Sequence, residues 1–221
     1  FHKKLEKDDF WISKGLVSNK YDLSIQGIFK TEKEINEYFF NVTKEYSEAI
    51  EEVLIIKPYY TEMYPLKFLG NKIGNNLSVI DGLSEKIKLD DKDKKIMKAL
   101  EEDGRTKIVD IAKQAEMSAE MALYKIKKFQ KEKVILGLRA GVRMRMLVYN
   151  YSLIFLNIRN LSQKWKDEII SFAIKEKRVN ALVLSLFNPN CMIQIFHKTD
   201  EELKEEVRKI KNLMKDEIID I

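Results

Sequence analysis

The sequence predicts an α+β chain. A winged helix-turn-helix stands between two ferredoxin-like β-α-β-β-α-β units, both cut short at the chain ends. Three observations predict it. Residues 24–31 and 192–199 align without a gap at a spacing of 168 residues, sharing Ile25 with Ile193, Gln26 with Gln194, Lys30 with Lys198 and Thr31 with Thr199. A repeat of long period means one structural unit used twice. Between the copies lies a segment of three short helical patterns with its own charge. Glycine and asparagine mark the junction before it.

The elements follow in order. Phe10–Val17 reads as a strand, Ser18-Asn19-Lys20 as a turn and Asp22–Phe29 as the returning strand of a hairpin. Thr31 with Glu34 three residues on forms a capping box, and Ile35, Phe39, Val42 and Tyr46 carry the helical spacing behind it. Ile55–Phe68 is extended and aromatic, and Pro58 and Pro65 argue for a sheet edge there. These residues make a first unit, 1–69. Residues 70–87 hold Gly70, Gly74 and Gly82, three of the eight glycines, which marks a linker.

Residues 88–146 change character. Ile96 and Leu100 sit on a helix opened by Asp90 or Asp91, Thr106 caps a second helix over 107–115, and Ser118 caps a third that runs to about Lys131. Val134–Arg145 alternates and reads as a two-stranded wing. The last unit, 147–221, repeats the first. It has a strand over Val148–Ile158, a helix from Ser162 to Lys175 and a hairpin of Val179–Leu186 with Cys191–His197. A final helix is capped by Thr199 and Glu202. The order is β-α-β-β-α, without its last strand.

Charge separates these segments. The chain carries 40 Lys and Arg against 35 Asp and Glu, a net +5. Residues 86–145 alone hold 17 basic and 10 acidic side chains, so the positive charge is concentrated there. That is the footprint of phosphate contact. At 100° per residue, Ala122, Ile126 and Phe129 form the inner stripe of the third helix, while Glu120, Tyr124, Lys127, Lys128 and Lys131 fall opposite. Met121 and Leu123 flank the stripe. A second motif helix of this kind enters the DNA major groove with its first residues toward base edges. Contacts to base edges therefore come first along it and phosphate contacts after. The candidate DNA-binding residues are Ser118, Glu120, Met121, Tyr124, Lys125, Lys127, Lys128, Lys131, Arg139 and Arg143.

Other chemistry is thinly supplied. Two histidines and the single Cys191 leave little for a metal site or a disulfide, and no catalytic set or phosphate loop stands out. One cysteine fits a reducing cytoplasm, and no apolar run reaches the roughly 18–20 residues of a membrane span. Cofactors are not expected.

Leu89–Leu100, Gly104–Ala112, and Tyr124–Phe129 followed by Val134–Ala140 resemble the helix-turn-helix of the Lrp/AsnC (feast/famine) transcription regulators. The flanking units resemble that family's RAM-type regulatory domain. The whole resembles a tandem, archaeal-type member from which a first reader domain precedes Phe1. The resemblance implies double-stranded DNA as partner, self-association through the regulatory sheets as an intrachain pseudo-dimer or higher oligomer, and an amino acid or similar effector. It places effector contacts at Asn19 and Asp22 in one copy and Asn188 and Asn190 in the other. Two departures stand out. Glu116 occupies the turn position where the family usually has glycine, and Met121 and Leu123 replace small polar residues. Two other readings compete. One is a metabolite sensor or scaffold with a vestigial helix-turn-helix. The other is an enzyme resembling the sirohaem decarboxylases, which would need His197 and the arginines 139, 143 and 145 to face a tetrapyrrole.

Overall fold

The repeat read from the sequence is written into the hydrogen-bond ladders of the computed structural model, which describes residues 11–16, 21–70, 78–80, 87–137, 141–160 and 162–221. Two compact units divide the chain at Ile55/Ile56.

In the first unit, β1 (Trp11–Leu16) pairs antiparallel with β2 (Leu23–Gly27), and α1 (Glu32–Glu45) follows. Thr31 adopts an extended backbone and its side chain accepts from the Glu34 amide, while Glu34 accepts from the Lys30 amide at 2.7 Å. Both carboxylate and hydroxyl thus satisfy amides that a helix start leaves without partners. Val42 is the buried residue of this helix.

The second unit contains β3 (Pro58–Met63), β4 (Ser78–Ile80), α2 (Asp91–Glu102), α3 (Ile108–Gln114) and α4 (Ala119–Lys131). It continues with β5 (Asn150–Ile158), α5 (Gln163–Lys175), β6 (Val179–Ser185), β7 (Cys191–His197), α6 (Asp200–Met214) and β8 (Ile218–Asp220). The β6–β7 ladder copies β1–β2 pair for pair. Lys14↔Ile25 corresponds to Leu182↔Ile193, and Leu16↔Leu23 to Leu184↔Cys191. Even the irregularity recurs, between Trp11 and Ser13 in one ladder and between Val179 and Ala181 in the other. Thr199 and Glu202 cap α6 as Thr31 and Glu34 cap α1, with Glu202 taking the Lys198 amide at 2.7 Å.

The six-stranded sheet runs β4-β3-β6-β7-β5-β8 with antiparallel neighbours throughout. Its last four strands have the ferredoxin-like order. Helices α5 and α6 cover one face. Leu156, Ile158, Leu182, Leu184, Ile193 and Ile195 meet Ile169, Ala173, Ile210 and Met214 there in one apolar core. Burying such side chains stabilises by about 1.5–3 kcal/mol each against exposure.

Three expectations are corrected. The stretch at 58–63 was assigned to the first unit, yet β3 pairs with β6, from Pro58↔Ser185 to Met63↔Ala181. Nor is it an edge, since β4 covers it on the other side; Pro58 is tolerated because it is the strand's first residue. β4 itself lies within the expected linker. The last strand expected to be missing is present as β8, with Ile158↔Ile218 and Asn157↔Asp220. The outer strands of the β6-β7-β5 core therefore both have partners, β3 on one side and β8 on the other.

Buried charge ties β3 and α6 into the unit. Glu62 is buried on β3 and accepts from the phenols of Tyr60 and Tyr64. Burial and the Glu62 hydrogen bond push the Tyr64 phenol well up. Just beyond, Lys67 donates to the Ala173 and Ile174 carbonyls at the end of α5, at 2.6 and 3.0 Å. Partial burial lowers its ammonium to about 8. On α6, Glu206 is fully buried between Arg178 at 2.8 Å and Lys209 at 3.0 Å, with Oε2 left without a hydrogen bond. Removing one partner of a buried carboxylate is strongly destabilising. Arg178→Ala should lower stability by about 3 kcal/mol in urea unfolding. Arg178→Lys should recover part of that loss.

Candidate nucleic-acid interface

The central helices are positioned by side-chain caps at the starts of α2 and α4 and by a small core. Asp90 caps α2: its carboxylate takes the Asp93 amide at 2.7 Å, and Asp93 returns the favour to the Asp90 amide at 3.0 Å. Ile96, Ala99, Ile111 and Ala115 form the buried cluster, with Leu100, Met117 and Ile126 against it. Thr106 does not cap α3; its hydroxyl donates to the Asp103 carbonyl at 2.7 Å, and Lys107 takes the cap position.

The turn between α3 and α4 is a Schellman motif. The Met117 amide reaches the Ala112 carbonyl at 3.0 Å, the Glu116 amide reaches Lys113 at 3.3 Å, and Glu116 has φ 54°. That is the left-handed position glycine normally fills. The strain is held by α2. Lys92 donates to the Glu116 carbonyl at 3.0 Å, and the Lys95 ammonium meets the Glu116 carboxylate. The Lys95 hydrogen bond holds that carboxyl below the usual glutamate range. The end of α4 repeats the device: Lys133 has φ 57°, and the Val134 amide bonds the Phe129 carbonyl at 2.8 Å.

Ser118 caps α4 by accepting from the Met121 amide at 3.2 Å. Ala122 and Phe129 point inward and are buried, as the helical spacing requires. Glu120, Met121, Tyr124, Lys127, Lys128 and Lys131 are exposed on the outer side. Among the described residues, Lys128 meets Glu132, one turn on, at 3.8 Å.

Lys125 is the exception among the expected contacts. Its ammonium lies 2.5 Å from Asp93 and 3.2 Å from Asp90, so it clamps α4 to the start of α2. The Asp93 hydrogen bond raises its pKa. The helical wheel already set Lys125 aside from the outer face, and the acidic pair three residues apart at 90 and 93 was the signal to read.

The wing is not found. Among the described residues between α4 and β5 there is no strand; Met144–Leu147 forms a 3-10 turn and Val148 is left-handed at φ 60°. Gly137 has φ 152°, open only to glycine, which breaks the alternation. Arg143 precedes the 3-10 turn and is exposed, while Arg139 lies outside the described residues.

Of the expected effector positions, Asn19 lies outside the described residues, and Asp22 is exposed in the first unit. In the second, Asn188 begins a cis bond to Pro189. Asn190 is engaged in structure: its amide donates to the Ile158 carbonyl at 2.7 Å and its oxygen accepts from the Ile158 amide at 2.9 Å, imitating a strand pair. A hollow of about 300 Å³ lies elsewhere on the unit, lined by Met63, Leu66, Val142, Met144, Asn180 and Phe196. Sequence reasoning missed it, because its walls come from four separate stretches of chain.

His197 is buried and satisfied. Its Nδ1 lies 2.9 Å from the Thr199 carbonyl, which can only accept, so Nδ1 carries the proton and Nε2 takes the Ser152 hydroxyl at 2.9 Å. Such a histidine is not turned toward a ligand. Burial raises the Cys191 thiol far above its ordinary value, which makes it an inert core residue. Among the described residues no cluster of metal-ligating side chains occurs, and no helix is long and apolar enough to cross a membrane.

Residues 89–130, which span α2 to α4, match the AsnC-type helix-turn-helix domain. The chain carries an AsnC-type helix-turn-helix domain. Solved structures agree on the fold. Escherichia coli AsnC is 22% identical with a TM-score of 0.50, the match covering 61% of this chain and 89% of that one. A transcriptional regulator from Neisseria meningitidis in complex with L-Met is 16% identical at 0.50, over 61% and 86%. An AsnC family transcriptional regulator from Agrobacterium tumefaciens is 19% identical at 0.50, over 60% and 86%. No curated protein matches the chain.

Two substitutions test how this AsnC-type domain is held together. Lys125→Met should cost about 2 kcal/mol in denaturant unfolding, because Asp93 stays buried without its cation. It should leave the salt dependence of duplex binding unchanged. Glu116→Gly should stabilise by about 0.5–1 kcal/mol, since relief of the left-handed backbone outweighs one exposed ion pair. Thermal unfolding of the full chain reads both.

Proposed function

We propose that the chain is a regulator of the Lrp/AsnC type that binds duplex DNA through α4 and couples that binding to an amino acid or similar metabolite held by its α+β units. The carrying observation is the outer face of α4. It is polar and aromatic in its first turns and cationic in its last, with Lys127, Lys128 and Lys131 exposed. Late lysines suit phosphates and early residues suit base edges. Ser118, Glu120, Met121 and Tyr124 are the base-edge candidates, and Arg143 is a further backbone contact. Lys125 is left out of the set because the acidic pair of α2 holds it.

The reading extends to organisation. A linker at 70–87 containing β4 leads to a reader at 88–146, and a RAM-type regulatory unit at 147–221 follows, extended by β3. The first unit is a second regulatory copy, which makes the protein a tandem, archaeal-type form. The matching ladders and capping boxes support this. Self-association uses the sheet face opposite α5 and α6, where Gln194 links Asn180 to Tyr151 beside Phe196. The protein works in the cytoplasm. A sensor with a vestigial helix-turn-helix is the second reading, favoured by the exposed Met121 and Leu123.

Binding of the full chain to a duplex pool, measured across salt concentrations, separates the two. Lys128→Ala should weaken binding to all duplexes alike and lower the slope of log affinity against log salt by about one. Affinity independent of salt and untouched by Lys128→Ala would leave the sensor.

A further inference from the structure

We infer that α4 reads thymine by its 5-methyl group rather than reading guanine or adenine by bidentate hydrogen bonds. The inference rests on the DNA-binding reading and names the base class its recognition helix selects. The first two turns of α4 are Ala119-Glu120-Met121-Ala122-Leu123-Tyr124-Lys125. They contain no Arg, Asn or Gln, the side chains whose forks match guanine O6/N7 and adenine N6/N7. The one cation there, Lys125, is held at 2.5 Å by Asp93 and turned toward α2.

Besides Glu120, what the first turns of α4 offer the groove is mainly apolar and aromatic surface. Met121 is 48% exposed, Leu123 44% and Tyr124 63%. Met121 and Tyr124 are three residues apart and so share one face of the helix. Val109, in the first turn of the preceding helix α3, is 64% exposed. Thymine is the base that presents an apolar group in the major groove. Glu120, exposed on the same outer side, is an acceptor suited to the cytosine N4 amine and not to guanine O6/N7 or thymine O4. Charge argues for the same occupant. The apolar turns lead into Lys127, Lys128 and Lys131, which suit a polyanion and would be misplaced beside a plain hydrophobic partner.

The test uses the full chain and a random-sequence duplex pool. Bound duplexes are selected, the tightest is synthesised, and each thymine is replaced in turn by deoxyuridine, which removes the methyl and keeps every hydrogen-bonding group. Thymines under α4 should lose affinity about fourfold each, the worth of one buried methyl-sized group. Met121→Ala or Tyr124→Ala should abolish that sensitivity at one position, while Met121→Leu should keep it. Salt-dependent binding with no loss on any deoxyuridine replacement overturns the inference and leaves the DNA reading intact. Absence of salt-dependent binding to the pool overturns both.

Discussion

Every residue of β6 is buried, and the second unit is organised around that fact. A strand buried on both faces and bonded on both edges has no freedom of register, because a one-residue slip would exchange its two faces. Leu182 and Leu184 face the helix-covered core. β7 pairs along one edge of the strand, and β3 along the other. The pairing with β3 fixes where Glu62 is buried and how Lys67 meets the end of α5. From there the chain is committed to a sheet that it leaves, at β4, before the reader begins.

What was legible in the sequence was local. The capping boxes at Thr31 and Thr199, the hairpin registers and the inward stripe of α4 all follow from residue type and spacing. The β6–β7 hairpin was therefore readable as the equivalent of β1–β2. The partner of β3 was not readable. Pro58, Tyr59 and Tyr60 say that the backbone is extended, and nothing local says which edge 120 residues away will accept it. The wing failed for a related reason. Alternation over Val134–Arg145 states which side chains would share a face, but a ladder also needs a second strand, and the positive φ at Gly137 interrupts the alternation.

At the candidate site the division is the same. The helical wheel located the outer face of α4, and positive φ at Glu116 followed from the turn's position in the motif. The pairing of Lys125 with Asp93 depended on how α2 crosses α4, which spacing alone does not encode. The residues around the hollow beside Phe196 were illegible for a stronger reason. Met63, Asn180 and Phe196 lie on β3, β6 and β7 and Val142 on the connection after the reader, and only the assembled sheet brings them into one wall.

The strand order has a mechanical meaning. The chain leaves the sheet at β4 and returns at β5, four places away in the order, or roughly 19 Å at the usual strand separation. The reader is thus slung from two posts driven into one plate, rather than trailing from a single tether. Tilting or spreading the plate moves both posts together, and the reader must follow. The same suspension makes the unit tolerant of a broken backbone. A single cut between the posts leaves β4 zipped to β3 and β3 to β6, so neither piece is free to drift from the other.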